Sequence, residues 1–278
     1  MYTQWLPYKW YYQMFYVIYR WVVGLYFNSW LIAAGAHQDH PKFFIFLTNW
    51  SFIVLNVYLL YAALSTTVDY FKVFICYRQY DNLNLEHDAD EFDVVEPKGC
   101  FSHQYNQIKW YHMIQWVLFT IGTEAAVAVV ILFWSLLYKG IGSYDVYDGH
   151  FHLGNGLVGV LDLWVSGLPI RLLHFYILQI YAAAYVSFTG VYYAAGGTGG
   201  TGRPGENATS YIYPPLDYAG HPGSAAGLCI ATVLILPIII HSFFYLQYVV
   251  RYWLVYVIYG RQQSHALRVD VPLLDNEL

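Results

Sequence analysis

Two residues of this 278-residue chain could form a nucleophile and its base, Thr48 and His152. A threonine hydroxyl attacks poorly until an adjacent base takes its proton, and an imidazole at hydrogen-bond distance is the usual means. Asn49 and Asn155 flank the pair and could donate to a developing oxyanion, while Asp148 or Asp145 could orient the imidazole. Both residue types also have ordinary explanations. A Thr in a membrane helix commonly bonds back to the carbonyl four residues earlier, and a histidine at a span boundary is commonly interfacial. Four further histidines, His37, His40, His150 and His221, compete with His152 for the same role.

A second set, Asn56, Glu124 and Asp162, consists of polar side chains inside apolar stretches. Such residues are expensive in a membrane and default to a functional hypothesis. A protonated carboxylic acid donating to a neighbouring carboxylate or amide would tie helices together, each bond contributing about 0.6–2 kcal/mol. The same trio could instead relay protons, since two carboxyls sharing one proton have their pKa values forced apart.

Other patterns carry no chemistry. Residues 197–202 read Gly-Thr-Gly-Gly-Thr-Gly and satisfy the dinucleotide fingerprint, but that fingerprint requires a preceding strand and a following helix. Here it follows an apolar span and leads into Arg203-Pro204-Gly205, so it reads as a flexible connection. The acidic run Asp81, Glu86, Asp88, Asp90, Glu91, Asp93 and Glu96 lacks the glycine of a calcium loop and reads as a solvated insertion. Cys76, Cys100 and Cys229 form neither a ligand pair nor a disulfide framework. No metal or cofactor is expected, and nothing suggests nucleic acid; the expected partners are membrane lipids.

The elements that must position these residues are membrane spans. The composition is 58% hydrophobic and 11% charged, with 30 Tyr, 17 Phe and 10 Trp. A soluble domain carries about 25% charged residues. A helix crosses the ~30 Å hydrocarbon layer with roughly 20 apolar residues. Six stretches meet or approach this: Phe15–Ala36, Phe43–Val68, Trp110–Tyr138, Phe151–Leu168, Leu172–Ala195 and Ala225–Val249. The fourth is short and contains His152, Asn155 and Asp162. Tyr252–Tyr259 reads as an interfacial continuation of the sixth, and the first run has the length of an anchor rather than a cleaved signal.

The expected fold is therefore an all-α polytopic bundle of about six spans over residues 1–260, followed by a tail at 261–278. Lys and Arg number ten on the N-terminal side, Arg20, Arg171 and Arg251 among them, against three on the other (Lys42, Lys139 and Arg203). This asymmetry places both termini, and an acidic loop at 69–109, in the cytosol. A Gly-rich loop at 196–223 is then lumenal, and it holds the glycosylation sequon of Asn207. In this topology Thr48 lies ~8 Å inside the lumenal boundary, level with His152, whereas Asn56, Glu124 and Asp162 lie near the midplane. His103, His112, His174 and His241 fall toward the cytosol.

Several stretches together resemble the rolling stone family of multi-pass membrane proteins. They are Tyr19-Arg20-Trp21 with Leu25-Tyr26-Phe27, and Phe46-Leu47-Thr48-Asn49-Trp50-Ser51. Next come His152 with Asn155, Leu161-Asp162, and Arg171-Leu172-Leu173-His174-Phe175-Tyr176. Last are Ala195-Gly196-Gly197-Thr198, then Tyr211-Ile212-Tyr213-Pro214 with Leu216-Asp217. The resemblance implies an integral membrane protein, and the family's named member is associated with myoblast fusion. A more distant similarity, at Phe46-Leu47-Thr48, at His152 ten positions before Asp162, and at Tyr213-Pro214-Pro215-Leu216, is to the androgen-induced family of membrane hydrolases. That family cleaves fatty acid esters of hydroxy fatty acids with an intramembrane Thr and His. It carries an Asn four residues before its His, where this chain has Asp148.

Two functions follow as expectations. One is hydrolysis of lipid esters by the Thr48–His152 dyad. The other is a non-enzymatic accessory role in cell–cell contact or fusion, with the buried polar residues as helix glue. A proton-coupled carrier using Glu124 and Asp162 is a third and lesser reading, because neither internal repeats nor paired broken helices are evident. Plasma membrane and endomembrane are not distinguished.

Overall fold

The computed structural model describes residues 10–37, 42–84, 110–138, 146–200 and 208–267, and all the regular structure in them is helical. Helix α1 is Trp10–His37 and α2 is Leu47–Asn84. Helix α3 is Trp110–Leu132, prolonged by a π turn at Phe133–Leu137. Helix α4 covers residues 146–165 as Val146–Gly149, a π turn His150–Gly154, and Asn155–Val165. Helix α5 is Phe175–Ala194. Helix α6 covers residues 222–267 as Pro222–Ile230, a π turn Ala231–Ile235, and Leu236–Leu267.

Five segments are long and apolar enough to cross a bilayer: Gln13–Ala36, Leu47–Lys72, Trp110–Leu137, Leu172–Ala194 and Pro222–Val257. The protein is an all-α, multi-pass integral membrane protein. The remaining helix, α4, has a rise of ~30 Å over its residues, but its own sequence is too polar to qualify. Its polar residues explain why: Asn155 and Asp162 are turned into the bundle, 0% and 1% exposed. α4 starts five residues before the expected stretch and ends at Val165, where Ser166 turns extended. α2 and α6 both continue as helix well past the expected apolar ends.

Each helix hides one stripe and turns the rest outward, as a lipid environment permits. On α1 the buried residues Gln13, Tyr16, Arg20, Phe27 and Ala34 recur at helical spacing, while Phe15, Ile18, Val22, Leu25 and Ile32 are exposed. α3 is central, touching α2, α4, α5 and α6. Membrane helices gain no hydrophobic drive from each other and associate through close packing of small residues. Gly122 of α3 supplies one such contact, since a Cβ there would lie 3.1 Å from the Leu55 Cα on α2. Gly159 of α4 supplies another, a Cβ there lying 3.2 Å from the Thr123 Cα.

One end of α4 is closed by a cation from α6. The Arg251 guanidinium, 0% exposed, donates to the carbonyls of Ser166 (2.6 Å), Leu168 (2.8 Å) and Leu163. These acceptors lie at the helix C-terminus, where unpaired carbonyls and the helix dipole favour a positive charge. Arg20 and Arg251, both counted from the sequence as cytosolic, are thus interior residues. Setting them aside leaves eight cytosolic-side cations against three, so the asymmetry behind the orientation persists.

Candidate active site

The ends of α2, α3, α5 and α6 nearest the Gly-rich loop surround a cleft of about 590 Å³, the open space at its mouth included. Its α3 wall is Val129, Leu132, Phe133, Leu136 and Leu137, a single helical stripe. Tyr185 and Val186 line it from α5, and Leu228, Cys229 and Thr232 from α6. Leu136 is 45% exposed, so the rim reaches the lipid-facing surface. Thr48 stands on the α2 wall beside Leu47, and Tyr213, Pro215 and Leu216 line the cleft from the loop between α5 and α6.

The first turn of α2 is held from several directions, which fixes Thr48. The Leu47 N–H, one of the donors a helix start leaves unpaired, donates to the Tyr213 hydroxyl at 3.0 Å. Tyr185 donates to the Ile45 carbonyl at 2.8 Å, and Asn49 Nδ2 to the Phe43 carbonyl at 2.7 Å. The Thr48 hydroxyl interacts with the Tyr213 phenol, whose pKa burial pushes up. Lys42 donates to Thr198 Oγ1 (2.8 Å) and the Gly199 carbonyl (3.0 Å), tying down the Gly-rich loop.

His152 lies in the π turn of α4, with its ring parallel to Phe133 at 3.6 Å between centroids. Its Nε2 is 3.7 Å from Asp148 Oδ1, one turn earlier. The helices carrying Thr48 and His152 touch at this level, because Phe52, one turn beyond Thr48, stacks on Phe151 at 4.1 Å. The two side chains themselves are not hydrogen-bonded. Thr48 faces the cleft, and His152 packs on Phe133, a residue of the cleft wall.

Of the two amides expected beside them, Asn49 is turned to the preceding 3₁₀ turn. Asn155 is fully buried, its Oδ1 accepting from the Gly156 N–H at 2.7 Å and its Nδ2 without a partner among the described residues. Of the competing histidines, His150 bonds the Tyr26 hydroxyl at 2.8 Å and stacks on Trp30, and His221 is 3.7 Å from Asp217 and largely exposed. The side chains of His37 and His40, with Asp145 and Asn207, lie outside the described residues, as does the acidic run from Asp81 to Glu96 beyond the α2 backbone.

Asn56, Glu124 and Asp162 are all buried, but they are not brought together. Asp162 pairs with Arg20 and also accepts from the Tyr58 hydroxyl. Arg20 Nε and Nη2 each donate to the Tyr16 hydroxyl, at 2.9 and 2.6 Å. Glu124 Oε1 is 2.8 Å from His241 Nδ1, and His241 Nε2 donates to the Arg171 carbonyl at 2.8 Å. One proton lies between Glu124 and His241, and the pair is neutral overall whichever of them holds it. The Asn56 amide bonds back to the Phe52 carbonyl at 2.8 Å. Sequence reasoning missed both partners. Arg20 and His241 had been counted with the cytosolic edge, although each stands within an apolar run where an ionisable group needs a partner. Among the described residues no three His, Cys, Asp or Glu side chains converge as metal ligands.

The comparisons with known proteins agree with this architecture. The family model described as protein rolling stone matches residues 2–266. A relative, protein rolling stone of Drosophila melanogaster, is 24% identical over 207 residues, covering 73% of this chain and 66% of the relative. The match thus spans just under two thirds of that relative's length. No solved structure matches. With the family model covering nearly all of the chain, the protein belongs to the rolling stone family.

Proposed function

We propose that the protein hydrolyses fatty acid esters of membrane lipids in the lumenal cleft, with Thr48 as nucleophile and His152 as its base. The observation that carries this is the position of Thr48. It is a hydroxyl on the wall of a largely apolar cleft whose rim reaches the lipid-facing surface. An acyl chain would lie along Leu132, Phe133 and Leu136, leaving its ester near the lumenal boundary, where water is available. Thr48 Oγ attacks the ester carbonyl as His152 takes its proton. The tetrahedral intermediate then expels the alcohol, which leaves with that proton. Water, activated by the same imidazole, cleaves the acyl-threonine to release the fatty acid and restore Thr48. Phe133, on which His152 is stacked, must turn aside for the imidazole to reach the hydroxyl. On this reading Asn155, whose Nδ2 has no partner among the described residues, would supply the donor to the developing oxyanion.

A second reading is favoured by one contact. The Thr48 hydroxyl interacts with Tyr213 and not with an imidazole, as suits a non-enzymatic protein that holds lipid while serving in cell–cell contact or myoblast-type fusion. A fluorophosphonate probe on the detergent-solubilised protein separates the two. Labelling of the parent, lost in both Thr48→Ala and His152→Ala, supports hydrolysis. Labelling unchanged in the variants, or none in the parent, supports the non-enzymatic role.

A further inference from the structure

Beneath the cleft lies a second, smaller pocket of about 360 Å³, the open space at its mouth included. The two share Leu47, Leu132, Tyr185 and Thr232, one residue from each of four helices, so they meet at one waist. The walls continue through it. On α3 the sequence Leu136, Leu132, Ala128, Ala125 runs down one face, and on α5 the sequence Tyr185, Ala182, Leu178 does the same. From Leu137 to Ala125 the slot follows ~18 Å of helix, which carries it from the lumenal boundary into the hydrocarbon level.

The lower chamber owes its space to small residues. Ala125, Ala128 and Ala182 stand where larger side chains would meet across it, and Leu178, Leu236 and Pro237 close the floor. Water gains little there. Of the four polar side chains on its wall, Ser51 and Tyr181 bond each other at 3.2 Å and Tyr185 donates to the Ile45 carbonyl at 2.8 Å, which leaves Thr232, whereas a buried water needs two to four polar partners. An unfilled apolar space forfeits dispersion contacts on every side. The occupant favoured by shape, depth and lining is an alkyl chain entering from the surrounding bilayer.

We propose that the two chambers form one acyl-chain slot, and that Ala128, Ala182 and Leu236 at its lower end set the length of chain accepted. This rests on reading the cleft as a lipid site, but not on hydrolysis. A short chain ends above the waist, and a long one passes between Leu132 and Thr232 to end against Leu236.

The test uses the full chain in phosphatidylcholine nanodiscs with methyl esters of decanoic and hexadecanoic acid, each bearing a terminal diazirine, and maps the adducts by mass spectrometry. The decanoyl probe is expected on the upper wall, between Val129 and Leu137 or between Leu228 and Thr232. The hexadecanoyl probe is expected on Ala125, Ala128, Ala182 or Leu236. Ala128→Phe and, separately, Ala182→Phe are expected to lower deep labelling by the long probe about tenfold, while decanoyl labelling stays within about twofold and reports an intact upper cleft. Leu236→Ala, which opens the floor instead of filling it, extends deep labelling to an eicosanoyl ester. Long-probe adducts confined to the upper wall, or deep adducts indifferent to all three substitutions, overturn the proposal and leave the cleft as a lipid site. If neither probe labels the cleft, that underlying reading fails as well.

Discussion

Replacing Asp162 by Asn removes the anion facing Arg20 with almost no change in shape. The Arg20 and Asp162 side chains are 2% and 1% exposed, so water cannot take over the guanidinium. Breaking a buried ion pair by removing one partner costs about 3–5 kcal/mol. An unpaired Arg at the centre of a membrane helix costs about 3 kcal/mol on insertion scales, which agrees. The two bonds from Arg20 to the Tyr16 hydroxyl survive, and Tyr58 keeps a neutral acceptor, so the loss should fall near the middle of that range. For a chain of this size, 3–5 kcal/mol lowers Tm by on the order of 10 °C. The assay is thermal unfolding of the detergent-solubilised protein, followed by loss of the monodisperse peak. Arg20→Met with Asp162→Leu should recover most of the loss, because a buried pair replaced by apolar residues is often neutral. Asp162→Asn melting within about 2 °C of the parent would refute the claim that this carboxylate holds the guanidinium.

Gly159→Val should destabilise the bundle by about 1–3 kcal/mol, since its branched side chain must displace the Thr123 backbone on α3. Gly190→Ala on α5, where a Cβ meets nothing, is the control, and equal melting of the two variants would contradict the packing account. A glycosidase treatment should shift the gel mobility of protein made in eukaryotic cells, with Asn207→Gln abolishing the shift. A shift that survives Asn207→Gln would count against the sequon as its source.

Much of the fold was legible because a bilayer simplifies the physics. Apolar run length alone located the spans, and the one weak stretch, Phe151–Leu168, was weak for a reason the structure supplies. Asn155 and Asp162 are buried and turned to the Gly156 N–H and to Arg20. Adjacency was also legible, since the helices that carry Thr48 and His152 do touch, through Phe52 and Phe151. Azimuth was not. Knowing that Glu124 and Asp162 lie near the midplane does not say which neighbour each one faces. Asp162 faces α1 and Glu124 faces α6, so the expected trio divides into two separate pairs. The π turns at Phe133–Leu137, His150–Gly154 and Ala231–Ile235 rotate the residues that follow them, and no residue pattern announced them. The Tyr213–Leu47 contact joins a loop to a helix start 166 positions away and had no local signal.

The central claim is that the Thr48 hydroxyl is the reactive group of an intramembrane lipid site. Digesting the probe-treated protein and sequencing the modified peptide by mass spectrometry tests it most directly. The account predicts a phosphonyl adduct on Thr48, absent from His152→Ala although the protein remains folded. An adduct on any other residue, or an adduct on Thr48 that forms as fast without the His152 imidazole, would contradict it.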